Sequence, residues 1–367
     1  MTDGPASRPS GAPAAIALGP ILSARWRPQD LDRIRAAAPD VRLVMVSREG
    51  LADGPLDDVE VLLRGWLSRD AFERLLARAP RLAWIHSATA GVERVLTPAT
   101  LERGIVITNA RGVFSRPIAE YVLMMILAIS RRLPQLLELQ RERTWQPLEG
   151  TEMRDLTIGI VGLGSIGRAV GDLSGSFGSR VVGTRRHATR ESGTGAGSRT
   201  GAGSVPAGRT VPEPAAEPLL RPSRGVSIEM LGGPEALPKL LGQSDFIVLA
   251  APLTPETENL IDERMLAVVK PGSWLINVAR GRLVDERALL RALREGPLGG
   301  AVLDTFRDEP LGSASPFYDL PNVVVTPHTS WSSGRVLDRS VELFCDNLVR
   351  FGAGEPLHNV VDPAVGY

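Results

Sequence analysis

The sequence predicts an α/β protein made of two doubly wound parallel-sheet domains, one inserted into the other. Three observations carry that prediction. At 367 residues the chain is longer than one ordinary core requires, so two domains are expected. Short apolar runs of strand character alternate with amphipathic helical stretches in two successive series, 15–109 and 156–328. The second series opens on a Gly-x-Gly-x-x-Gly turn set between an apolar strand and a helix.

The elements follow in order. Residues 1–14, MTDGPASRPSGAPA, are rich in Pro, Gly, Ser and Ala with little to bury, and are predicted to be a disordered tail. AIAL, a helix over 28–38, VRLVMV, VEVLLRG, the helix SRDAFERLLARAP, LAWIHS and IVITNA then form the first series, so 15–115 is read as the first part of a substrate domain. SRPIAEYVLMMILAISRRLPQLLELQ, 115–140, reads as one long buried helix capped near Ser115 with Pro117 in its first turn. LTIGIVG, RVVGT, DFIVLAA, SWLINVA, AVLDTF and VVVTPH supply six strands of a nucleotide-binding domain over 116–330. The stretch 331–367 reads as a helix plus an extended tail that returns to the substrate domain.

One segment breaks this rhythm. Residues 188–225 lack any aromatic or isoleucine and contain the tandem repeat TGAGSR-TGAGSV, so they cannot bury enough apolar surface to offset their ordering entropy. They read as a tolerated surface insertion rather than a lid or docking segment.

Composition narrows the function classes. Forty-two basic residues balance 42 acidic ones, which gives no electrostatic reason for a nucleic-acid or anionic-membrane partner. The single cysteine, Cys345, builds neither an internal disulfide nor a multi-thiolate metal site, which fits a reducing cytoplasm and no metal. No run approaches the ~20 apolar residues needed to span a bilayer. A small-molecule site remains the expectation.

In a chain with 38 glycines the glycine pattern alone is weak, but its context is specific. Gly162 permits the tight turn, Gly164 lets backbone approach a pyrophosphate, and Gly167 lets helix pack on strand. The helix N-terminus at Ser165 and Ile166 presents free N–H groups to the phosphates. Eighteen residues after Gly167, where an NAD site carries an acid for the ribose 2′-hydroxyl, this chain has Arg185 followed by Arg186. A guanidinium can hold a 2′-phosphate in bidentate fashion, so NADP(H) is favoured over NAD(H).

Three separated segments offer acid–base chemistry: INVARGRLVDERAL with Arg280, AVLDTFRDEPL with Glu309, and VVVTPHTSW with His328. Each ends a predicted strand on the edge where doubly wound sheets hold ligands. Carbonyl reduction needs a proton delivered to oxygen, and histidine is suited to give it near neutrality. A carboxylate such as Glu309 would orient the ring and keep it protonated. Arg280 could pair with a 2-oxo acid's carboxylate and polarise its carbonyl.

On GLGSIGRAV, PLTPETENLID, KPGSWLINVARGRLVDERALL, GAVLDTFRDEPL and LPNVVVTPHTS, with SATAGVERV upstream, the chain resembles the D-isomer-specific 2-hydroxyacid dehydrogenases. Apart from tail and insertion, the resemblance covers nearly the whole chain. It implies a Rossmann-type cofactor domain inserted into a flavodoxin-like substrate domain. It also implies hydride transfer between a nicotinamide and a small 2-oxo or D-2-hydroxy acid. By that likeness Arg280 binds the substrate, His328 is the acid/base and Glu309 sets its protonation. The SATAG loop, through Ala90 and Gly91, holds the substrate carboxylate, with Arg64 as a weaker substrate contact. Ser165 and Ile166 meet pyrophosphate, Arg185 meets the adenosine ribose, Pro252 and Thr257 lie near the cofactor, and Val278 and Asp304 lie at the nicotinamide end. The apolar helix 115–140 lies where family members dimerise, implying a homodimer.

Other readings are weaker. Formate dehydrogenases of this architecture carry glutamine where this chain has Glu309. Some transcriptional corepressors use the fold as a dinucleotide-sensing module, and nothing basic or motif-like here supports that role. Trp331 is read either as closing the substrate pocket or as ordinary packing, and His86 as a hydrogen-bonded core residue rather than a ligand.

Overall fold

The computed structural model describes residues 12–21, 26–185, 226–233 and 235–363. Most of the predicted tail, the 188–225 insertion and Arg186 lie outside the described residues. Five parallel strands form the first sheet: β1 (Ala15–Leu18), β2 (Arg42–Met45), β3 (Val59–Arg64), β4 (Trp84–Ser87) and β5 (Val106–Asn109). Their order, β2-β1-β3-β4-β5, is that of flavodoxin-like sheets. Helices α1 (Pro28–Ala37), α2 (Arg69–Arg78) and α3 (Pro98–Glu102) connect them. α2 begins where Ser68 accepts from the Ala71 N–H, and buries Ala71, Phe72, Leu75 and Leu76 on one face.

Next come α4 (Ser115–Ser130) and α5 (Leu133–Arg141), where the sequence reading expected one helix. Pro134 explains the break. It has no N–H and its ring clashes with the carbonyl four residues back, that of Ser130. Arg132 turns left-handed at φ 60°, and the freed Ser130 carbonyl accepts from Thr151 N at 2.9 Å. Phe114, not Ser115, is the N-cap of α4 and makes no side-chain cap. α4 buries one face against the second domain, whereas α5 buries no residue at all.

The second sheet has seven parallel strands, one more than the sequence reading found. They are β6 (Thr157–Val161), β7 (Arg180–Thr184), β8 (Ile228–Leu231), β9 (Phe246–Leu249), β10 (Trp274–Asn277), β11 (Gly300–Leu303) and β12 (Val323–Val325). The missed strand, β8, is an edge strand with Glu229 and Met230 exposed, so it shows none of the apolar continuity of its neighbours. The order β12-β11-β10-β9-β6-β7-β8 reverses between β6 and β9, which is the Rossmann switch point. Helices α6 (Ser165–Ser176), α7 (Ala236–Gln243), α8 (Glu263–Ala267) and α9 (Glu286–Arg294) belong to this domain.

The C-terminal segment packs on the first sheet. Helix α10 (Val336–Ala353) stacks Phe344 and Phe351 on Trp84 of β4 at 5.4 and 5.5 Å between ring centroids. The following tail extends the first sheet: Asn109 N donates to Asn359 O at 3.1 Å and Val361 N to Ile107 O at 2.9 Å. Among the described residues no helix is long and apolar enough to cross a membrane.

Candidate active site

The glycine turn has the shape a dinucleotide needs. Gly162 sits at φ 100°, and a Cβ there would lie 2.7 Å from Ala251 backbone. A Cβ on Gly167 would lie 2.2 Å from Gly162 O, so α6 rests directly on the turn. A Cβ on Gly164 would meet nothing within 4 Å. Space is therefore left on one side only, above the N-terminus of α6, which carries no side-chain cap and so keeps its Ser165 and Ile166 N–H groups open to an anion. These residues fit a pyrophosphate. Arg185, exposed at the end of β7, makes no ion pair among the described residues. Pro252 and Thr257 lie in the loop after β9, where Thr257 Oγ1 donates to Pro252 O at 2.7 Å and ties the loop together.

Arg280 follows β10 and Val278. Asn277, 1% exposed, braces this turn: its Nδ2 donates to Arg280 O at 3.0 Å and its Oδ1 accepts from Ala279 N at 3.1 Å. The Arg280 guanidinium donates to Ala279 O at 2.8 Å and, across the domain boundary, to Glu93 Oε1 at 3.3 Å. It also lies against the SATAG loop, since a Cβ on Gly91 would stand 2.1 Å from Arg280 Nη2. That loop is held by Thr89 Oγ1 donating to Gly91 O and Asn109 Nδ2 donating to Ala90 O, both at 2.8 Å. The N–H groups of Ala90 and Gly91 donate to no acceptor among the described residues. Two free N–H groups beside a guanidinium make a carboxylate cradle.

His328 and Glu309 lie within hydrogen-bond distance of each other. His328 Nδ1 and Glu309 Oε2 are 2.8 Å apart, while Glu309 Oε1 accepts from Phe306 N at 3.0 Å. Burial pushes the Glu309 carboxyl upward, but the hydrogen bonds from His328 and Phe306 and the charges of His328 and Arg280 outweigh it and hold the group below its usual value. With Nδ1 engaged, Nε2 is the ring nitrogen left to exchange a proton with a ligand.

His328 itself has φ 50°, a left-handed conformation disfavoured for a histidine. Asp304, fully buried at the end of β11, maintains it. Its Oδ1 accepts from Thr326 Oγ1 at 2.6 Å and Thr329 N at 2.8 Å, and its Oδ2 from Ser330 N at 3.0 Å. Because the Thr326 hydrogen goes to this carboxylate, Tyr121 of α4 is the donor in its 2.7 Å bond to Thr326 Oγ1. Asp304 thus grips both sides of His328.

Trp331 donates its indole N–H to His328 O at 2.7 Å and faces Trp66 at 6.5 Å and Phe114 at 6.5 Å, edge-on. Arg64 is turned inward instead of toward this wall. It is 4% exposed, lies 5.1 Å over the Phe72 ring, and donates to Gly65 O and Leu67 O, fixing the turn that carries Trp66. Burial, then the charge of Arg94, lowers its pKa to about 10.

Sequence reasoning missed Glu93, Asn277, Thr326, Tyr121 and Trp66. The signal for Glu93 was within reach, as an acid two residues beyond Gly91. Tyr121 and Thr326 are 205 residues apart and carry no local sign of each other.

The profile of the D-isomer specific 2-hydroxyacid dehydrogenase NAD binding domain matches residues 123–202 and 221–330. A glyoxylate reductase of Korarchaeum cryptofilum is 30% identical over 344 residues, 92% of this chain and 90% of that protein. A D-3-phosphoglycerate dehydrogenase of Mycobacterium bovis is 32% identical over 361 residues, 97% of this chain, but the chain spans only 58% of that relative's length. The crystal structure of a D-isomer specific 2-hydroxyacid dehydrogenase from Xanthobacter autotrophicus, in complex with NADPH, superposes with TM-score 0.74 at 29% identity and covers 97% of this chain and 100% of that one. An NADPH-dependent glyoxylate/hydroxypyruvate reductase from Sinorhizobium meliloti, bound to NADP, gives TM-score 0.74 at 25% identity over 96% of this chain and 100% of that one. With this site on this pair of sheets, and these likenesses across its length, the chain belongs to the D-isomer specific 2-hydroxyacid dehydrogenase family.

Proposed function

We propose that the protein is an NAD(P)H-dependent reductase of small 2-oxo acids, interconverting them with D-2-hydroxy acids. The observation that carries this reading is the His328–Glu309 pair standing on the same domain edge as Arg280, which itself lies against the free N–H groups of Ala90 and Gly91. Those two N–H groups and Arg280 hold the substrate carboxylate, and Arg280 polarises the carbonyl. His328 Nε2 delivers a proton to the carbonyl oxygen while Glu309 stabilises the charged ring through Nδ1. When bound, the reduced nicotinamide supplies the hydride.

NADP(H) is the favoured cofactor, on the exposed Arg185, which makes no ion pair among the described residues, and on the NADPH and NADP found in the Xanthobacter and Sinorhizobium structures. We further read the protein as a cytoplasmic homodimer. The unburied α5, with Leu133, Leu136 and Leu137 exposed, supplies the apolar face for pairing.

The test is oxidation of NADPH and NADH against a panel of 2-oxo acids. Turnover is expected with wild type and is lost in His328→Ala while dinucleotide binding persists. Near-normal kcat in that variant refutes the acid/base assignment. Arg185→Asp is expected to shift the cofactor ratio toward NADH, and an unchanged ratio refutes the phosphate assignment.

A further inference from the structure

On the face of the first sheet covered by α10 lies a cavity that the acid/base site leaves unused. Trp26, Trp66, His86, Ala88, Val336 and Val341 line it, and at about 30 Å³ it has room for one water-sized group. His86 is 1% exposed, and its Nε2 has no hydrogen-bond partner among the described residues.

The neighbours fix where the imidazole hydrogen sits. Trp84 Nε1 can only donate, so Thr108 Oγ1 accepts from it at 2.8 Å. The Thr108 hydroxyl hydrogen is then best placed on His86 Nδ1, also 2.8 Å away. That leaves the hydrogen of a neutral ring on Nε2, as a buried donor with no acceptor. Neutrality is secure, since full burial lowers the His86 pKa to about 3. Buried donors are almost always satisfied, so this one calls for an acceptor oxygen in the cavity, from a water or from a ligand.

The cavity adjoins the reaction site. The Trp66 ring lines it and also faces Trp331, which is tied to His328 O. Ala88 lines it two residues before the carboxylate cradle at Ala90. Among the described residues the remaining lining is apolar apart from Ser340 and carries no formal charge, so a buried carboxylate finds no counter-charge there, whereas a hydroxyl or ether oxygen needs none.

We propose that this cavity is a side-chain subsite of the substrate pocket, receiving an uncharged terminal oxygen on the 2-oxo acid's substituent, with His86 Nε2–H as its donor. The proposal rests on the reductase reading above. His86 binds the substituent and takes no part in hydride or proton transfer.

The test uses the full chain with NADPH and pairs of 2-oxo acids differing only in a terminal hydroxyl or methyl. The pairs are hydroxypyruvate and 2-oxobutyrate, 4-hydroxy-2-oxobutyrate and 2-oxopentanoate, and 5-hydroxy-2-oxopentanoate and 2-oxohexanoate, with glyoxylate as the substrate lacking a substituent. At one chain length the hydroxyl member is expected to have the higher kcat/KM by about tenfold, the worth of one hydrogen bond. His86→Leu should bring that ratio to one or below, and His86→Gln, which keeps an N–H, should retain part of it. Because the readout is a ratio within each variant, a general loss of activity cancels. Glyoxylate turnover with no hydroxyl preference at any length in wild type overturns the subsite. So does a preference that survives His86→Leu, and either result leaves a structural water as the occupant. Absence of turnover with glyoxylate and every other acid overturns the reductase reading itself.

Discussion

Replacing Asp304 by Asn probes how His328, the proposed acid/base, is held. The carboxylate accepts three hydrogen bonds, two at Oδ1 and one at Oδ2, from residues on both sides of His328. Asn can place its oxygen at the Oδ1 position and keep the bonds from Thr326 and Thr329. Its amide then turns a donor toward Ser330 N–H, leaving two buried donors face to face. One charge-assisted bond is lost, about 1.5–3 kcal/mol, and one unsatisfied donor adds about 1–3 kcal/mol, so a destabilisation of ~2.5–6 kcal/mol is expected. The left-handed turn at His328 loses its clamp on one side, and misplacement of the ring on the order of 1 Å lowers kcat by up to ~100-fold. Denaturant unfolding measures the first effect, and steady-state kcat with its pH profile measures the second. Thr326→Val supplies an independent check, because it removes a clamp bond and strands the Tyr121 hydroxyl without altering Asp304 itself. An Asp304→Asn protein with wild-type stability and wild-type kcat would refute the positioning role.

Three further outcomes follow from the same geometry. His86 should impose an acid limb on stability. Its folded pKa of about 3 lies below the ordinary value of 6.5, so between these pH values the unfolded chain binds a proton that the folded chain refuses. Stability therefore falls with acidification across that window, by up to about 1.4 kcal/mol per pH unit. Denaturant titrations at pH 7, 6 and 5 should show a shallower slope in His86→Leu; identical slopes would count against it. Gly164→Ala and Gly167→Ala should separate binding from folding. The first fills open space and is expected to weaken dinucleotide affinity with little change in melting, whereas the second drives a Cβ to 2.2 Å from Gly162 O and lowers the melting temperature. Gly91→Ala should displace the Arg280 guanidinium, 2.1 Å from the new Cβ, and raise KM for the 2-oxo acid more than it alters stability.

What was legible in the sequence was local. Strand, glycine turn and helix are contiguous over 157–176, so the dinucleotide loop could be read from residues that touch along the chain. The three acid–base blocks were legible for a related reason. Each follows its own strand, and parallel strands deliver their C-terminal ends to one edge whatever lies between them. The two misread regions failed on competing local signals. Apolar periodicity across 115–140 outweighed the proline at 134, and β8 lies beyond a long low-complexity segment with two exposed residues in its span of four.

Pairings across the fold belong to another level. Glu93 reaches Arg280 from 187 residues away, Tyr121 reaches the His328 turn through Thr326, and Arg64 turns inward to hold the Trp66 loop. Such contacts depend on how two domains and a returning helix pack, and a side chain's partner then is whatever volume and unpaired polarity surround it. Sequence alone specified the two sheets, the phosphate turn and the residue types at the reacting edge, because periodicity and backbone chirality act over a few residues. Only packing specified that Glu93 meets Arg280 and that Asp304 clamps the turn around His328, and left His86 Nε2 facing a cavity, because those outcomes depend on segments that meet only after the chain has folded.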